Sequence, residues 1–206
     1  MHIKKYVWLL VILIFSTVIV SCTPKTASKG DIMPEFKEVI ESLYSKNETL
    51  KYTVDDENGE DVTSMFFADT EEYYNDSNWN EIKKYISEND LVINKETIGN
   101  DNKRIANSYK FKILQNSKNT EEVEIFSVLE GIVYYDENKK ITDVDNAKLS
   151  NNRVNASCQI GNVSLTSSKV SDSKACFLVS FDLMKQNSNV LCDFPRYIHR
   201  LYVDIN

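Results

Sequence analysis

The sequence predicts an α+β fold in which N-terminal helices pack on a C-terminal antiparallel sheet. Apolar residues recur with the helical period of 3.6 between residues 33 and 88, and largely with the strand period of two over residues 90–206. Helical segments that all precede the strands are typical of α+β proteins rather than of alternating α/β folds. The 206 residues suffice for one good hydrophobic core or at most two small ones.

Three helices are predicted before the strands begin. The first begins near Pro34, because proline fits a first helical turn, where its missing N–H is not needed. Its apolar stripe consists of Phe36, Val39, Ile40, Leu43 and Tyr44. The last begins at the capping sequence Asn78–Glu81, and its buried face consists of Trp79, Ile82, Tyr85 and Ile86. Between them, residues 62–74 combine aromatic and acidic side chains and indicate one more helical segment.

The strand-forming part begins with a hairpin. Residues 109–113 alternate, residues 123–135 are rich in β-branched and aromatic side chains, and residues 116–119 suit the turn between them. A symmetric turn places Lys112 opposite Glu124, a favourable cross-strand pair. Three further strands are predicted over residues 154–166, 175–184 and 190–205.

The order of helices and strands resembles the cone-shaped NTF2-like fold, in which an N-terminal helix set packs into a curved antiparallel sheet. That resemblance implies a single sheet and a pocket inside its curve. The last three strands could equally form a separate small sandwich, and the sequence leaves both arrangements open.

The first 22 residues have the pattern of an export signal. Lys4 and Lys5 precede an apolar run from residue 6 to residue 20, which is shorter than the ~20 residues that a membrane-spanning helix needs. The tetrad Ile19-Val20-Ser21-Cys22 resembles the lipobox of bacterial lipoproteins. The resemblance implies transfer of a diacylglyceryl group to the Cys22 thiol, cleavage before that residue, and in many bacteria acylation of the new amino terminus. An uncleaved apolar anchor is the alternative.

These observations predict the organisation of the chain and its location. Residues 1–21 form a lipoprotein signal peptide, residues 22–32 a lipidated polar tether, and residues 33–206 a single α+β domain, helical over 33–88 and mainly β over 90–206. Two or more acyl chains hold a protein stably on a bilayer. We therefore expect a bacterial envelope protein, attached through Cys22 to the outer face of the cell membrane or to the outer membrane.

Charge and motifs narrow the function. The chain has 24 basic and 31 acidic residues, which disfavours nucleic acid as a partner. The acidic run Asp55–Asp61 does not fit a calcium-binding EF-hand, because Val54 and Met65 would occupy the first and twelfth ligand positions. An acidic surface turn is the simpler interpretation, and a loose oxygen cage the alternative. Neither a cofactor nor a resident metal is predicted, and hydrolase and phosphate-loop motifs are missing from the sequence.

Three cysteines remain beyond residue 22: Cys158, Cys176 and Cys192. Their spacing fits no zinc site. Symmetric turns in the last two hairpins would place Cys158 and Cys192 on opposite sides of one strand, two strand spacings or about 9.6 Å apart. A disulfide needs Cα atoms within ~7 Å, so this register predicts three buried thiols.

The best candidate for a binding patch lies near the C-terminus. On a strand, Arg196 and Arg200 share one face, while His199 shares the other with apolar neighbours. A lone histidine on an apolar face is usually a core residue, and the arginines could hold an anion or an acidic partner. The sequence thus predicts a non-enzymatic binding or assembly module for a protein or small ligand. The alternative is a small hydrolase or ligand-modifying enzyme with an NTF2-like pocket, which a pocket bringing His199 or two carboxylates together would favour.

Overall fold

The structure is a computed structural model, and it describes residues 33–45, 51–99, 102–116, 118, 122–154 and 158–205. The predicted signal peptide, the tether and Cys22 lie outside these residues. The described helices are α1 (Met33–Tyr44), α2 (Thr63–Asn75) and α3 (Trp79–Glu88), which confirms the three helical predictions. None of them has the length and apolar character needed to cross a bilayer.

Eight strands make up most of the described chain: β1 (Lys51–Asp55), β2 (Val92–Gly99), β3 (Lys103–Gln115), β4 (Glu122–Tyr135), β5 (Ile141–Val154), β6 (Cys158–Lys169), β7 (Lys174–Lys185) and β8 (Tyr197–Asp204). They form a five-stranded antiparallel sheet in the order β1-β2-β3-β4-β5 and a three-stranded antiparallel sheet in the order β6-β7-β8.

The predicted fold class is therefore wrong. The structure is mostly β, with 55% strand and 22% helix, rather than a set of helices packed on one sheet. The NTF2-like arrangement is also wrong, because the last three strands form a sheet of their own. The strand β1 also lies inside the region predicted to be helical. Periodicity reports the local conformation of a segment, and it carries no information on which strands pair.

The main core lies between the two sheets. Inward-facing residues of β4, β7 and β8 alternate with outward-facing ones and form one cluster of buried side chains. Phe177 of β7 is completely buried there, and its ring lies against the backbone of Gly131 on β4. A Cβ atom at Gly131 would lie 2.5 Å from Cδ2 of that ring. The lack of a side chain at this position thus allows the sheets to approach.

A second cluster joins the three helices to the other face of the larger sheet. The cluster combines buried apolar side chains of the helices with those of β2, β3 and β4. The helices contribute Phe36, Ile40, Phe66, Ile82 and Ile86, and the strands contribute Ile93, Phe111, Phe126 and Val128. The Tyr44 and Tyr74 rings stack with centroids 3.8 Å apart, which ties α1 to α2. The larger sheet is therefore covered on both faces over part of its width.

Two predicted registers need correction. In the β3–β4 hairpin Lys112 pairs with Ile125, and Ile113 pairs with Glu124, one residue away from the symmetric alignment. At the end of β7, Cys158 pairs with Lys185 and a β-bridge joins Met184 to Leu191. The predicted separation of Cys158 and Cys192 is therefore wrong, since their sulfur atoms lie 3.0 Å apart.

Candidate functional site

The unequal width of the two sheets creates a cleft. The smaller sheet faces β3, β4 and β5, so the inner face of β1 and β2 extends beyond its last strand, β8. This overhang forms the floor of an open cleft of about 600 Å³. The end of β8 forms one wall, and the loop after β1 forms another. The cleft is the candidate functional site.

The floor of the cleft carries a buried carboxyl group. Asp55 is 8% exposed, and its Oδ2 accepts a hydrogen bond of 2.7 Å from Nδ2 of Asn94, which is also buried. Burial raises the pKa of Asp55, and the negative charges of Asp61 and Glu96 raise it further, while hydrogen bonds from Thr53 and Asn94 oppose the shift. The site thus holds a carboxylate that a bound cation would stabilise.

Arg104 on β3 connects the floor to the wall formed by β8. Its Nη1 donates a hydrogen bond of 3.1 Å to Oε2 of Glu96 and another to the backbone carbonyl of Asp204. Its Nε, like Oδ1 of Asn94, is buried without a hydrogen-bond partner among the described residues. A buried polar atom of this kind costs about 1–3 kcal/mol. Stability alone therefore does not account for the polar floor, and such groups are often found at binding sites.

The other wall is the acidic turn after β1. The Asp56 carboxylate accepts hydrogen bonds of 2.9 Å from the backbone N–H groups of Asn58 and Glu60, which lower the pKa of Asp56. Gly59 has a φ of +79° and lies against the ring of Tyr202 on β8, where a Cβ atom would be 2.7 Å from Cγ. Only glycine fits this contact. No group of three or more His, Cys, Asp or Glu side chains that could hold a metal ion occurs among the described residues. The acidic turn contributes one wall of the cleft.

Acidic side chains outnumber basic ones around the cleft. Five carboxylates line it, against the three cations Lys51, Arg104 and Lys174. Two of these cations are already engaged: Arg104 with Glu96, and Lys174 with Asp204 at 3.8 Å and with the face of the Tyr202 ring. The remaining surplus of negative charge favours a positively charged ligand.

The histidine of the predicted patch lies in the inter-sheet core. His199 is fully buried, with Nδ1 3.0 Å from Oγ of Ser127 and Nε2 2.8 Å from Oγ of Ser108. Burial, and secondarily the charge of Lys110, hold its pKa well below the usual range, so the ring is neutral at physiological pH. The interpretation of His199 as a core residue with satisfied hydrogen bonds is confirmed.

The two arginines of the patch lie on the outer side of the smaller sheet, away from His199. Arg196 binds Asp182 at 2.8 Å, Ser180 Oγ at 3.0 Å and the carbonyl of Asn162 at 3.1 Å. Arg200 is exposed on the outer face of β8. The structure thus separates the three patch residues, placing the histidine inside and both arginines outside.

The sequence did not predict the cleft, although four of its lining residues lie in the acidic run Asp55–Asp61. The cleft residues come from β1 and the turn after it, and from β2, β3, β7 and β8, which are far apart in the chain, so no local motif joins them all. One signal was available: β3 carries Arg104, Ser108 and Lys110 on the face that includes apolar Ala106, and all four are buried. Polar residues on a buried strand face indicate a polar layer between sheets. Comparison of the chain with protein-family models, curated proteins and solved structures yields no significant match.

Proposed function

We propose that this chain is a bacterial envelope lipoprotein, anchored through acyl chains on Cys22, whose domain binds a basic segment of a partner protein in the cleft without catalysis. The observation that carries the binding proposal is the buried carboxyl of Asp55 on the floor of an acidic cleft. The lipobox-like tetrad at residues 19–22 supports the anchor.

Electrostatics favours a basic ligand. Opposite charges attract more strongly in a cleft with protein walls than in bulk water, because the effective dielectric constant is lower. A lysine or arginine side chain that reaches Asp55 would neutralise a carboxylate whose ionisation is otherwise unfavourable. It would also leave Asp61 and Glu60 to attract neighbouring positive charges at the rim.

The geometry supports binding over nucleophilic catalysis. A Cys–His enzyme would need His199 next to a thiol in an accessible site, whereas both ring nitrogens of His199 bond to serine hydroxyls in the core. Burial also raises the pKa of the Cys176 thiol, which reduces the fraction of reactive thiolate.

One observation favours a second candidate, a small ligand-modifying enzyme. A carboxyl with a raised pKa beside other carboxylates could serve as a general acid or base, and Asp55 has that environment. The two functions differ in the fate of the bound compound. Mass spectrometry of the recovered ligand would find it unchanged for a binding protein and altered for an enzyme.

A titration with pentalysine tests the binding proposal. We expect saturable binding of labelled pentalysine to the detergent-solubilised lipoprotein at low salt, followed by fluorescence anisotropy. Asp55→Asn should weaken binding about tenfold, equivalent to ~1.4 kcal/mol, because it removes the central negative charge. Glu72→Gln, an exposed change on α2 at the opposite face of the sheet, should leave binding unchanged.

The same titration has a definite pH dependence. Lysine side chains stay protonated throughout, so affinity should rise with pH as Asp55 loses its proton above the usual aspartate range of ~3.9. The Asp55→Asn variant should lack the upper part of this rise. Equal weakening by both variants would mean that pentalysine binds by net charge alone, and normal binding by Asp55→Asn would mean that Asp55 takes no part. Either result would contradict the proposed site.

A further inference from the structure

The end of the smaller sheet brings two cysteines into contact. Cys158 is the first residue of β6 and pairs with Lys185, whereas the backbone N–H of Cys192 donates a 2.8 Å hydrogen bond to the carbonyl of Leu183. They flank the end of β7 from its two sides, and their sulfur atoms lie 3.0 Å apart. Both side chains are half-buried against the inter-sheet core.

Neighbouring contacts hold this arrangement independently of the sulfur atoms. The side chain of Gln159 donates to the carbonyl of Ser188 at 3.2 Å and accepts from the backbone N–H of Asn187 at 3.4 Å. A β-bridge joins Leu191 to Met184. The turn after β7 is therefore tied both to β6 and to β7, and it carries Cys192 towards Cys158.

We propose that Cys158 and Cys192 form an intramolecular disulfide in the mature protein. The sulfur atoms need to approach by only about 1 Å to reach the ~2.05 Å bond length. The bond would enclose β6, β7 and the turn that follows. It would fix the start of the edge strand β6, whose residues beyond Gly161 are exposed on both faces.

The oxidation balances with a disulfide as the electron acceptor. A thiolate formed from one cysteine attacks an oxidant of the class RS–SR and displaces RS⁻, which takes up a proton. The second cysteine thiolate then attacks the mixed disulfide and displaces the other thiol. Two protein thiols are oxidised to one S–S bond, and RS–SR is reduced to two RSH. Such oxidants operate outside the cytoplasm, where residues 1–22 are expected to send the chain.

The third of the three cysteines beyond residue 22, Cys176, lies too far from the other two to take part in the disulfide. Cys176 is the third residue of β7, opposite Ser168 and Tyr202, and lies seven residues along the strand from Leu183. Its thiol contacts the carbonyl of its neighbour Phe177 at 3.7 Å. At ~3.3 Å per residue along a strand it lies far from both partners, so it stays reduced and serves as an internal control.

Alkylation of the full chain tests the disulfide. The protein would be produced with its signal sequence, extracted from membranes, unfolded without reductant and treated with N-ethylmaleimide before proteolysis and mass spectrometry. We expect a cross-linked peptide pair containing Cys158 and Cys192, with the maleimide on Cys176 alone. Prior reduction should separate the pair and place a maleimide on all three cysteines.

Maleimide on Cys158 and Cys192 without reduction, or a cross-link to Cys176, would overturn the proposal. The mass of the Cys22 peptide reports lipidation separately, so a failed anchor and a missing disulfide are distinguishable.

Thermal unfolding provides a second readout. Complete reduction should lower the Tm of the unmodified chain by about 5–15 °C, given the size of the enclosed loop. Cys176→Ser should show the same drop, and a Cys158→Ser, Cys192→Ser double variant should show none. An unchanged Tm after reduction that mass spectrometry confirms to be complete would contradict a stabilising cross-link.

Discussion

Replacing Gly131 with valine is expected to destabilise the protein by about 3 kcal/mol, the upper end of the usual range for overpacking a core. The Phe177 ring occupies the space that the new side chain would need, and that ring is fully buried between the sheets. Gly131 also lies at an irregularity in the pairing of β4 with β5, between the paired residues Glu130 and Ile132. Urea unfolding should show the loss directly.

A matched substitution and a compensating one make this result specific. Gly99→Val is expected to cost much less, because a Cβ atom there would be 3.3 Å from its nearest neighbour, the carbonyl oxygen of Lys103. Phe177→Leu should recover part of the stability lost by Gly131→Val, in a double-mutant cycle. If both glycine variants unfold at the same urea concentration, the close packing of β4 on β7 is incorrect.

Replacing His199 with alanine is expected to cost about 3–5 kcal/mol at neutral pH. The change opens a cavity and removes hydrogen bonds to Ser108 and Ser127, two residues with no measurable exposure. Ser127 keeps its 2.7 Å hydrogen bond with Tyr197, whereas Ser108 loses its contact with the ring. Urea unfolding of both proteins at pH 7.5 measures the difference.

The cost of His199→Ala should decrease as the pH falls. The pKa of His199 is lower in the folded protein than the ~6.5 of an unfolded chain, so below pH 6.5 the unfolded state binds the extra proton. The stabilisation contributed by the neutral His199 ring is fully present above the unfolded-state pKa of ~6.5. It decreases by up to ~1.4 kcal/mol per pH unit as the pH falls from there towards the folded-state pKa. A difference in unfolding free energy that is the same at pH 7.5 and pH 5 would indicate an exposed histidine.

The extent to which the sequence predicted this fold differs between local and long-range features. The stripe from Phe36 to Tyr44 and the alternation from Ala175 to Leu183 depend on neighbouring residues, and both predicted the correct element. The inward position of His199 follows from the same alternation. Pairing and register depend on turn geometry, so the assumption of symmetric turns shifted Lys112 by one residue and separated Cys158 from Cys192.

The candidate cleft depends on a feature that no single segment encodes. It exists because β1 joins the larger sheet and thereby extends it beyond β8, and β1 is only five residues long. Asp55 appeared in the sequence as part of an acidic turn, whereas in the structure it is the buried end of a strand. Polar residues in a turn and polar residues on a sheet floor have the same sequence signature until the strand order is known.

Whether this domain works at a membrane surface depends on the proposed lipid anchor at Cys22. Incorporation of radioactive palmitate in a bacterial host tests the anchor most directly. The full chain is compared with its Cys22→Ser variant, and Cys176→Ser is the control. We expect the unmodified chain and Cys176→Ser to yield a processed, palmitate-labelled form in the membrane fraction. Cys22→Ser should yield an unlabelled precursor with no mature form there. Normal processing and membrane attachment of Cys22→Ser would contradict the proposed lipoprotein.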